Sequence, residues 1–387
     1  MDKIEELLTC GVANIIPSRD KLKELLTTDK KLNVYFGIDP TATRIHLGHA
    51  VPLRVLQKFS DLGHNVTFLI GDFTALIGDT SDKDTERPVL TTEQIEKNFQ
   101  TYRDQAEKIL DFSNIKVRYN SEWLDNLSSR DFIKLAQQFS FGDFASRELV
   151  KKRLSSSKYV GLHEGLYPAM QGYDSYFLDT DVQIGGTDQT FNMQAGRILQ
   201  KNWRDKESYV LATEFLLGTD GRKMSKTWNN AIWLEDNPNE MYVKIMAIND
   251  DLIIPYFTLA TNLALTAIEN IKSELDRGGS LLNAKKELAR QIIKELHGEK
   301  DAEDAENNFT KTPEAQIVTV GHEKASLIDA LIYTNLAQSK SDAKRLIEQG
   351  GVSIDGKVKS DPSEILDLEK EKVIKVGKFK SAKLKSS

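Results

Sequence analysis

The sequence predicts an α/β protein, in which a parallel sheet with helices is followed by an all-helical domain and a small α+β domain. Three observations support this class. Strand-like runs of β-branched and aromatic residues alternate with helical patterns over residues 1–233. Apolar residues then recur at helical spacing over residues 234–309. Finally, residues 322–387 combine two short amphipathic helices with a strand that enters an Asp-Gly turn.

The first 233 residues are interpreted as a Rossmann-like catalytic domain, in which helices cover a parallel sheet. Its strand-like runs include residues 34–38, 66–70, 115–119 and 182–184. A polar, mostly helical stretch of about 91–157 is expected to be an insertion between the two halves of the sheet. Three phenylalanines of this stretch mark either a subunit contact or buried core, and the sequence leaves both open: Phe139, Phe141 and Phe144.

Length and composition agree with several domains and with a cytoplasmic protein. A chain of 387 residues is too long for a single core, so two or three domains are expected, with residues 310–321 as a linker before the last one. No run of about eighteen apolar residues predicts a membrane span, and the first residues lack a signal peptide's apolar core. Cys10 is the only cysteine, which excludes an internal disulfide and a cysteine-rich zinc site.

The first chemical motif is His46-Leu47-Gly48-His49, which follows a predicted buried strand and the turn residues Asp39-Pro40. A helix is expected to begin here, with Pro52 near its first turn. His46 and His49 then lie one above the other at the helix N-terminus, where unpaired amides and the helix dipole favour an anion. Gly48 leaves room for a nucleotide to approach.

The second motif is Lys223-Met224-Ser225-Lys226-Thr227, which follows the turn-rich segment 218–222. Lys223 and Lys226 offer two ammonium groups three residues apart, beside the hydroxyls of Ser225 and Thr227. This arrangement suits the β- and γ-phosphates of ATP, and a glycine-flanked loop can close over a nucleotide. Either motif alone reads equally well as a solvated surface segment. Together, in this order, they indicate the ATP site of a class I aminoacyl-tRNA synthetase.

A third feature indicates the amino acid that is activated. Tyr167, Gln171 and Asp174 fall at i, i+4 and i+7 of a predicted helix and therefore share one face. A phenol, an amide and a carboxylate are costly to bury unless a ligand completes their hydrogen bonds. Asp174 could accept the proton of a substrate phenol.

With these residues, the chain resembles the bacterial-type tyrosyl-tRNA synthetases over essentially its full length. The segments that carry the resemblance are Tyr35-Phe36-Gly37-Ile38-Asp39-Pro40-Thr41-Ala42, His46-Leu47-Gly48-His49, Ile77-Gly78-Asp79, the Tyr167, Gln171 and Asp174 face, Gln183-Ile184-Gly185-Gly186-Thr187-Asp188-Gln189, and the segment from Lys223 to Thr227. The resemblance implies L-tyrosine, ATP with Mg²⁺, and tRNA(Tyr) as partners, and a homodimer.

The resemblance also implies residue roles. For tyrosine, Tyr35 and Asp174 bind the hydroxyl, Gln189 lies near the carboxylate, and the α-ammonium group is held by Asp79, Tyr167 and Gln171. For ATP and the adenylate, the implied residues are Gly37, Asp39, Gly48, Gly186, Asp188 and Lys226. The polyphosphate is contacted by Thr41, His46, His49, Lys223, Lys226 and Thr227. Pro52 departs from the expected pattern, because a proline there has no N–H to donate.

The chemistry requires few special groups. The carboxylate of tyrosine is already ionised at pH 7, so its attack on the α-phosphate of ATP needs positioning and charge neutralisation but no general base. No carboxylate cluster in the sequence marks a dedicated metal cage.

The C-terminal module resembles an S4 RNA-binding domain. The whole chain has a net charge of −6, but residues 322–387 hold 13 Lys plus Arg and 10 Asp plus Glu, a net charge of +3. This basic end is expected to contact tRNA phosphates, although a solvated terminus is an equal alternative. The expected tRNA contacts are Lys340, Lys344, Arg345 and Lys357.

Two other interpretations stay open from the sequence. A tryptophanyl-tRNA synthetase would share the architecture, but Tyr35 with Asp174 suits a phenolic hydroxyl. A non-catalytic RNA-binding protein on the same scaffold would not need the two histidines and two lysines, all of which are present.

Overall fold

The computed structural model describes residues 2–41, 43–79, 91–225, 227–310, 316–377 and 380–386. The chain divides into two compact units, Met1–Glu299 and Lys300–Ser387. The first unit holds the predicted catalytic domain and most of the predicted helical domain, whereas residues 300–309 of the latter fall in the second unit. None of the described helices is long and apolar enough to cross a membrane.

The first unit is built on a six-stranded sheet. In chain order, its strands are β1 (Val12–Ile16), β2 (Asn33–Ile38), β3 (Asn65–Ile70), β4 (Ile115–Tyr119), β5 (Val182–Gly186) and β6 (Tyr209–Thr213). Their order across the sheet is β1-β6-β5-β2-β3-β4, with β1 antiparallel to β6 and the other pairs parallel. The order reverses at β2, between β3 and β5. In such sheets, ligands bind outside the carboxyl ends of the strands at this reversal.

Helices surround this sheet and continue beyond it. The helices before residue 205 are α1 (Lys3–Leu7), α2 (Arg19–Leu26), α3 (Leu47–Asp61), α4 (Thr74–Ile77), α5 (Thr92–Ala106), α6 (Ser121–Leu124), α7 (Ser129–Ala136), α8 (Phe141–Ser146), α9 (Glu148–Ser155), α10 (Leu162–Phe177) and α11 (Thr190–Arg204). The helical region comprises α12 (Pro238–Met246), α13 (Ile253–Ala260), α14 (Leu265–Asp276), α15 (Leu281–His297) and α16 (Glu299–Thr310).

Successive residues of β2 point to opposite faces of the sheet and enter two different cores. Phe36 packs with Leu56 and Phe59 of α3 on one face. Tyr35 packs with Met170 of α10 and Leu199 of α11 on the other. This alternation places the Tyr35 ring beside the helix that carries the predicted substrate face.

A buried arginine of α3 forms hydrogen bonds and an ion pair with the helical region. Arg54 Nη1 donates to Glu295 Oε2 and to Asn262 Oδ1, each at 2.7 Å, and Nη2 donates to the carbonyl of Ala260 at 2.8 Å. Both charged side chains are mostly buried. The helix that begins at the histidine motif is thereby tied to α13 and α15.

The second unit contains α17 (Leu327–Tyr333) and α18 (Lys340–Glu348) with two small sheets. Its strands are β7 (Gln316–Val320), β8 (Lys324–Ser326), β9 (Val352–Ile354), β10 (Lys357–Lys359), β11 (Ile365–Asp367), β12 (Lys372–Val376) and β13 (Lys380–Ser386), ordered β10-β9-β12-β13-β7 and β11-β8. The Asp-Gly turn joins β9 to β10, with positive φ at Asp355 (49°) and Gly356 (82°). This fits the predicted α+β module.

Three details differ from the sequence-based expectations. Residues 316–320, assigned to the linker, form β7 and pair with β13, while residues 311–315 lie outside the described part. Strand β4 coincides with the predicted strand-like run 115–119 and belongs to the parallel sheet, so the stretch 91–157 is not wholly an insertion. Pro52 is the sixth residue of α3, not in its first turn. A proline there leaves the carbonyl four residues earlier without its helical donor.

Candidate active site

A cavity of about 320 Å³ opens at the carboxyl ends of β2 and β5, where the strand order reverses. Its volume lies in the range of about 300–1,000 Å³ that is usual for small-molecule sites. Predicted site residues make up much of its lining: Tyr35, Gly37, Asp39, Thr41, His46, Gly48, His49, Asp79, Tyr167, Gln171, Asp174, Gly186, Asp188, Gln189 and Lys223.

Two predicted residues are not among those that line the cavity. Thr227 is exposed, and its backbone N–H donates to Ser225 Oγ at 3.2 Å. Lys226 lies outside the residues that the structure describes.

His46 and His49 form a stacked pair at the N-terminus of α3. Their ring centroids are 3.8 Å apart, and the backbone N–H of His46 donates to Nδ1 of the His49 ring at 3.3 Å. Burial, with the charge of Lys223 nearby, lowers the pKa of His46 to about 2 and that of His49 to about 4. Both rings are therefore neutral at pH 7 and can donate hydrogen bonds to an anion without carrying charge.

Gly48 has a structural role in this pair. A Cβ at Gly48 would lie 2.9 Å from His46 Nδ1, so a larger residue would displace the ring. This His46 Nδ1 atom is buried and has no hydrogen-bond partner among the described residues. The glycine thus keeps an imidazole with unused hydrogen-bonding capacity at the cavity wall.

Lys223 supplies the positive charge at this end of the cavity. Its Nζ lies 3.8 Å from Asp188 Oδ2 and 5.4 Å from the centroid of the Phe215 ring. The side chain is about half exposed, so it can exchange Asp188 for an incoming anion at small cost.

At the other end, α10 presents the predicted polar face. Tyr167 Oη donates to Asp39 Oδ2 at 2.9 Å, which links this helix to the end of β2. Gln171 Oε1 is buried without a hydrogen-bond partner among the described residues. Asp174 is 3% exposed. Gln171 Oε1 is therefore the atom of this face that a ligand is needed to satisfy, since Tyr167 and Asp174 have partners in the protein.

The Asp174 carboxyl group is held by two donors. Trp123 Nε1 donates to Oδ1 at 2.8 Å and Asn120 Nδ2 donates to Oδ2 at 3.1 Å. Burial outweighs these bonds and raises the pKa of Asp174 to about 8. Tyr35 Oη, buried nearby, donates to Gln183 Oε1 at 3.2 Å, and its burial with the charge of Asp174 raises its pKa well above the usual value.

Asp79 and Gln189 contact each other at the cavity wall. Gln189 Nε2 donates to Asp79 Oδ2 at 2.6 Å, and Asn192 Nδ2 lies 3.5 Å from Asp79 Oδ1. Asp79 is 8% exposed. A buried carboxylate beside the amide oxygen of Gln171 and the phenol of Tyr167 is a suitable environment for an ammonium group.

Sequence reasoning missed the residues that hold this site in place. Thr74 Oγ1 donates to Asp39 Oδ1 at 2.8 Å and accepts from Asn120 Nδ2 at 2.9 Å. Asn120 follows β4 directly, and its position at the carboxyl end of a parallel strand is a signal that could have identified it. Gln183 begins one of the segments that carry the resemblance, although no role was predicted for it. Trp123 carries no such signal, because only the tertiary fold brings it to Asp174.

The predicted tRNA contacts lie in the second unit and are exposed. Lys340 and Arg345 pair with Asp329 and Asp342 at 3.3 and 2.7 Å, and Lys344 lies 3.8 Å from Glu348. Exposed pairs of this kind contribute little to stability, so the cations can turn to phosphates.

Comparisons with known proteins agree with the geometry of the site. The sequence matches the family model described as tRNA synthetases class I (W and Y) over residues 27–312, and the S4 domain model over residues 328–372. The tyrosine–tRNA ligase of Dehalococcoides mccartyi is 39% identical over an alignment of 396 positions, which covers 99% of this chain and 98% of that protein. The tyrosine–tRNA ligase of Thermotoga maritima is also 39% identical, over 97% of this chain and 95% of that protein.

Solved structures show the same fold. A C-terminally truncated mitochondrial tyrosyl-tRNA synthetase of Aspergillus nidulans aligns with a TM-score of 0.67 and 24% identity, over 79% of this chain and 92% of that chain. The tyrosyl-tRNA synthetase of Archaeoglobus fulgidus, complexed with L-tyrosine, aligns with a TM-score of 0.62 and 22% identity, over 79% of this chain and 100% of that chain. Together with the sequence matches, these findings confirm the resemblance drawn from the motifs: the chain belongs to the class I tRNA synthetase family (W and Y) and carries a C-terminal S4 domain.

Proposed function

We propose that this chain is a tyrosine–tRNA ligase, which converts L-tyrosine and ATP into tyrosyl-adenylate and pyrophosphate and then transfers tyrosine to the 3′ end of tRNA(Tyr). The observation that carries the proposal is the burial of Tyr35 and Asp174 in one cavity with His46, His49 and Lys223. A phenol and a carboxyl group at one end suit the tyrosine hydroxyl, and the histidines and lysine at the other suit a polyphosphate.

The first step forms one bond and breaks one. A carboxylate oxygen of tyrosine attacks the α-phosphorus of ATP, and the bond to the bridging oxygen of pyrophosphate breaks. Negative charge increases on the departing pyrophosphate, where Lys223 and the N–H groups of the two imidazoles can stabilise it. No side chain has to remove a proton, because the attacking carboxylate is already ionised. In the second step, a hydroxyl of the terminal ribose displaces AMP.

The residue roles are part of the proposal. Tyr35 and Asp174 bind the phenol, and Asp79, Tyr167 and Gln171 hold the α-ammonium group. Gln189, which donates to Asp79, orients that carboxylate and lies beside the substrate carboxylate. The remaining residues that we assign to ATP and the adenylate are Gly37, Asp39, Thr41, Gly48, Gly186, Asp188, Lys226 and Thr227.

Magnesium fits this site as part of the substrate. No group of three or more His, Cys, Asp or Glu side chains among the described residues is placed to hold a metal ion. We therefore assign Mg²⁺ to the phosphates of ATP, which it commonly accompanies with few protein ligands. When bound there, it would neutralise phosphate charge during adenylate formation.

The second unit would bind the tRNA. Lys340, Lys344, Arg345 and Lys357 are exposed, and the segment 370–385 holds seven lysines and one acidic residue. Phosphate contacts from this surface would make tRNA binding fall steeply with salt. We place the protein in the cytoplasm, where its single cysteine, which is buried, stays reduced.

We also propose a homodimer formed through an apolar surface beside α8 and α10. Phe141 is 69% and Leu162 73% exposed, while Phe144 is buried and Phe139 half-buried. These four residues line a second cavity, of about 220 Å³, and exposed apolar side chains of this kind are typical of an interface. Phe141→Asp should convert a dimer to monomers in sedimentation experiments, whereas Ile133→Asp, an equally drastic change at another exposed apolar residue, should not. Dimers that persist in Phe141→Asp would contradict this surface.

ATP–pyrophosphate exchange, measured separately with each of the twenty amino acids, tests the proposed function. Tyrosine should stimulate the exchange and the other amino acids should not. Exchange that depends on tryptophan would assign the chain to the other specificity of the family. No exchange with any amino acid, in protein that binds tRNA, would favour a non-catalytic RNA-binding role.

A further inference from the structure

The loop that carries Lys223 is closed at its base by one buried amide side chain. Asn230 follows the loop and is only 2% exposed, although its neighbours Trp228 and Asn229 are exposed. A buried amide must find partners for its donors and its acceptor. Asn230 finds all of them within the segment 219–225.

The Asn230 side chain joins both arms of the loop. Its Nδ2 donates to Asp220 Oδ1 at 2.7 Å and to the carbonyl of Lys223 at 3.2 Å. Its Oδ1 accepts from the backbone N–H of Ser225 at 2.8 Å. Its own carbonyl accepts from the N–H of Thr219 at 3.0 Å. The backbone on each side of Met224 is thus tied to a single residue.

The surroundings of Asn230 are shaped to hold it. A Cβ at Gly218 would lie 2.3 Å from Asn230 Nδ2, so only glycine leaves room for the amide. Asp220, its acceptor, also accepts from the N–H and Nε of Arg222 at 3.1 and 2.8 Å. These bonds, from Arg222 first and Asn230 second, hold the pKa of Asp220 well below its usual value, so the carboxylate stays charged at neutral pH.

The helical region holds the other side of this base. Tyr256 Oη, from the middle of α13, donates to the carbonyl of Leu217 at 2.7 Å. The N–H of Asn249 donates to the carbonyl of Thr219 at 3.1 Å. Leu217 in turn forms an isolated β-bridge with Lys223. The position of the Lys223 backbone is therefore fixed by contacts that lead to α13 as well as by contacts within its own loop.

We propose that Asn230 is a positioning residue for adenylate formation: by fixing the backbone at Lys223 and Ser225, it sets where the Lys223 ammonium group meets the polyphosphate. This inference rests on the proposed function, since it concerns the same reaction. Asn230 does not line the cavity and acts only through the loop. Because a displacement of about 1 Å at reacting groups can cost about 100-fold in rate, loss of the amide should affect catalysis strongly.

Asn230→Asp tests the proposal with nearly unchanged shape. The aspartate can still accept from Ser225 but loses the donor to Lys223 and faces the Asp220 carboxylate. In tyrosine-dependent exchange, kcat should fall about 10- to 100-fold and KM for ATP should rise. The dissociation constant of tyrosine, measured without ATP, should change less than about twofold, because the tyrosine contacts lie on other elements.

Asn229→Asp is the matched control. It adds the same charge one residue away, at an exposed side chain whose φ of 51° suits Asn and Asp. Its kcat should stay within about threefold of wild type, since a single exposed charge is largely screened. Gly218→Ala is a second test of the proposal, because its methyl group would displace the Asn230 amide. We expect the same loss of kcat, with unchanged affinity for tyrosine.

Three results would overturn the proposal: wild-type kcat in both Asn230→Asp and Gly218→Ala, equal losses in Asn230→Asp and Asn229→Asp, or a loss of tyrosine affinity as large as the loss of kcat. The first means that the amide does not position the loop, the second that only charge matters, and the third that the fold is generally damaged. Failure of the proposed function is distinguishable, because wild-type protein would then show no tyrosine-dependent exchange.

Discussion

Trp123→Phe should weaken tyrosine binding through Asp174, because phenylalanine has no N–H to replace the indole donor. The indole N–H donates to Asp174 Oδ1 at 2.8 Å, and both side chains are buried. A hydrogen bond to a charged group contributes about 1.5–3 kcal/mol, so its loss should raise the pKa of Asp174 by about 1–2 units. That pKa is already raised to about 8.

The consequence for tyrosine depends on pH. If the phenol donates to an ionised Asp174, affinity follows the ionised fraction, which at pH 7 should fall about 10- to 100-fold in Trp123→Phe. For wild type, KM for tyrosine should decrease from pH 6 towards pH 8 and then level off. For the variant, KM should still be decreasing at pH 8.5.

Steady-state exchange at a series of pH values measures this effect. Trp203→Phe is the matched control, since it removes the same part of an indole that packs edge-on against Tyr176, at 4.9 Å, away from the Asp174 carboxyl group. Its KM for tyrosine should follow the wild-type pH profile. An increase in KM that is independent of pH in Trp123→Phe, or equal in both variants, would refute the role of the indole N–H.

Further predictions concern stability and the second unit. Arg54→Met should lower the free energy of unfolding in urea by about 3–5 kcal/mol, because the mostly buried Glu295 carboxylate loses its charged partner and keeps only neutral hydrogen-bond donors. Arg54→Met combined with Glu295→Leu should cost less, and a cost as large as the sum of the two single changes would contradict this. Asp174→Asn should gain stability relative to wild type as pH rises from about 4 to about 8, because the folded-state pKa of Asp174 lies above its unfolded value, so ionisation of the buried carboxyl opposes folding in that window. A gap in stability that is constant with pH would show an ordinary pKa. Removal of residues 316–387 should preserve tyrosine-dependent exchange, since the residues assigned to the adenylate precede residue 228, while most tRNA charging and the salt dependence of tRNA binding should be lost. Full charging by the shortened protein would show that the second unit is not needed.

The sequence predicted the parts of the site that local patterns encode. The strand at residues 34–38 gives both Tyr35 and the turn at Asp39, and helical spacing puts Tyr167, Gln171 and Asp174 on one face. Stacking of His46 and His49 follows from their separation of three residues. These features depend on residues that are close in the chain.

Features that depend on tertiary contacts were not predicted. Asn120 and Trp123 reach Asp174 only because β4 lies at the edge of the sheet beyond β3, although the expected insertion contained them. Strand β7 pairs with β13, more than sixty residues later. The β-branched run Ile317-Val318-Thr319-Val320 favours a strand, but we assigned it to the linker. The close approach of the His46 ring to Gly48, where a Cβ would lie 2.9 Å from Nδ1, was also not predicted, although Gly48 lines the cavity.

The central claim is that Tyr35 and Asp174 recognise a phenolic hydroxyl, and the ratio of kcat/KM for tyrosine to that for phenylalanine in pyrophosphate exchange tests it most directly. Phenylalanine lacks the hydroxyl that both buried groups are proposed to bind, so it would not form those two hydrogen bonds. We expect a large ratio, and about 10⁵-fold is the discrimination known for this enzyme family. The ratio should fall in Tyr35→Phe. A wild-type ratio near one, or a ratio unchanged in Tyr35→Phe, would contradict the account.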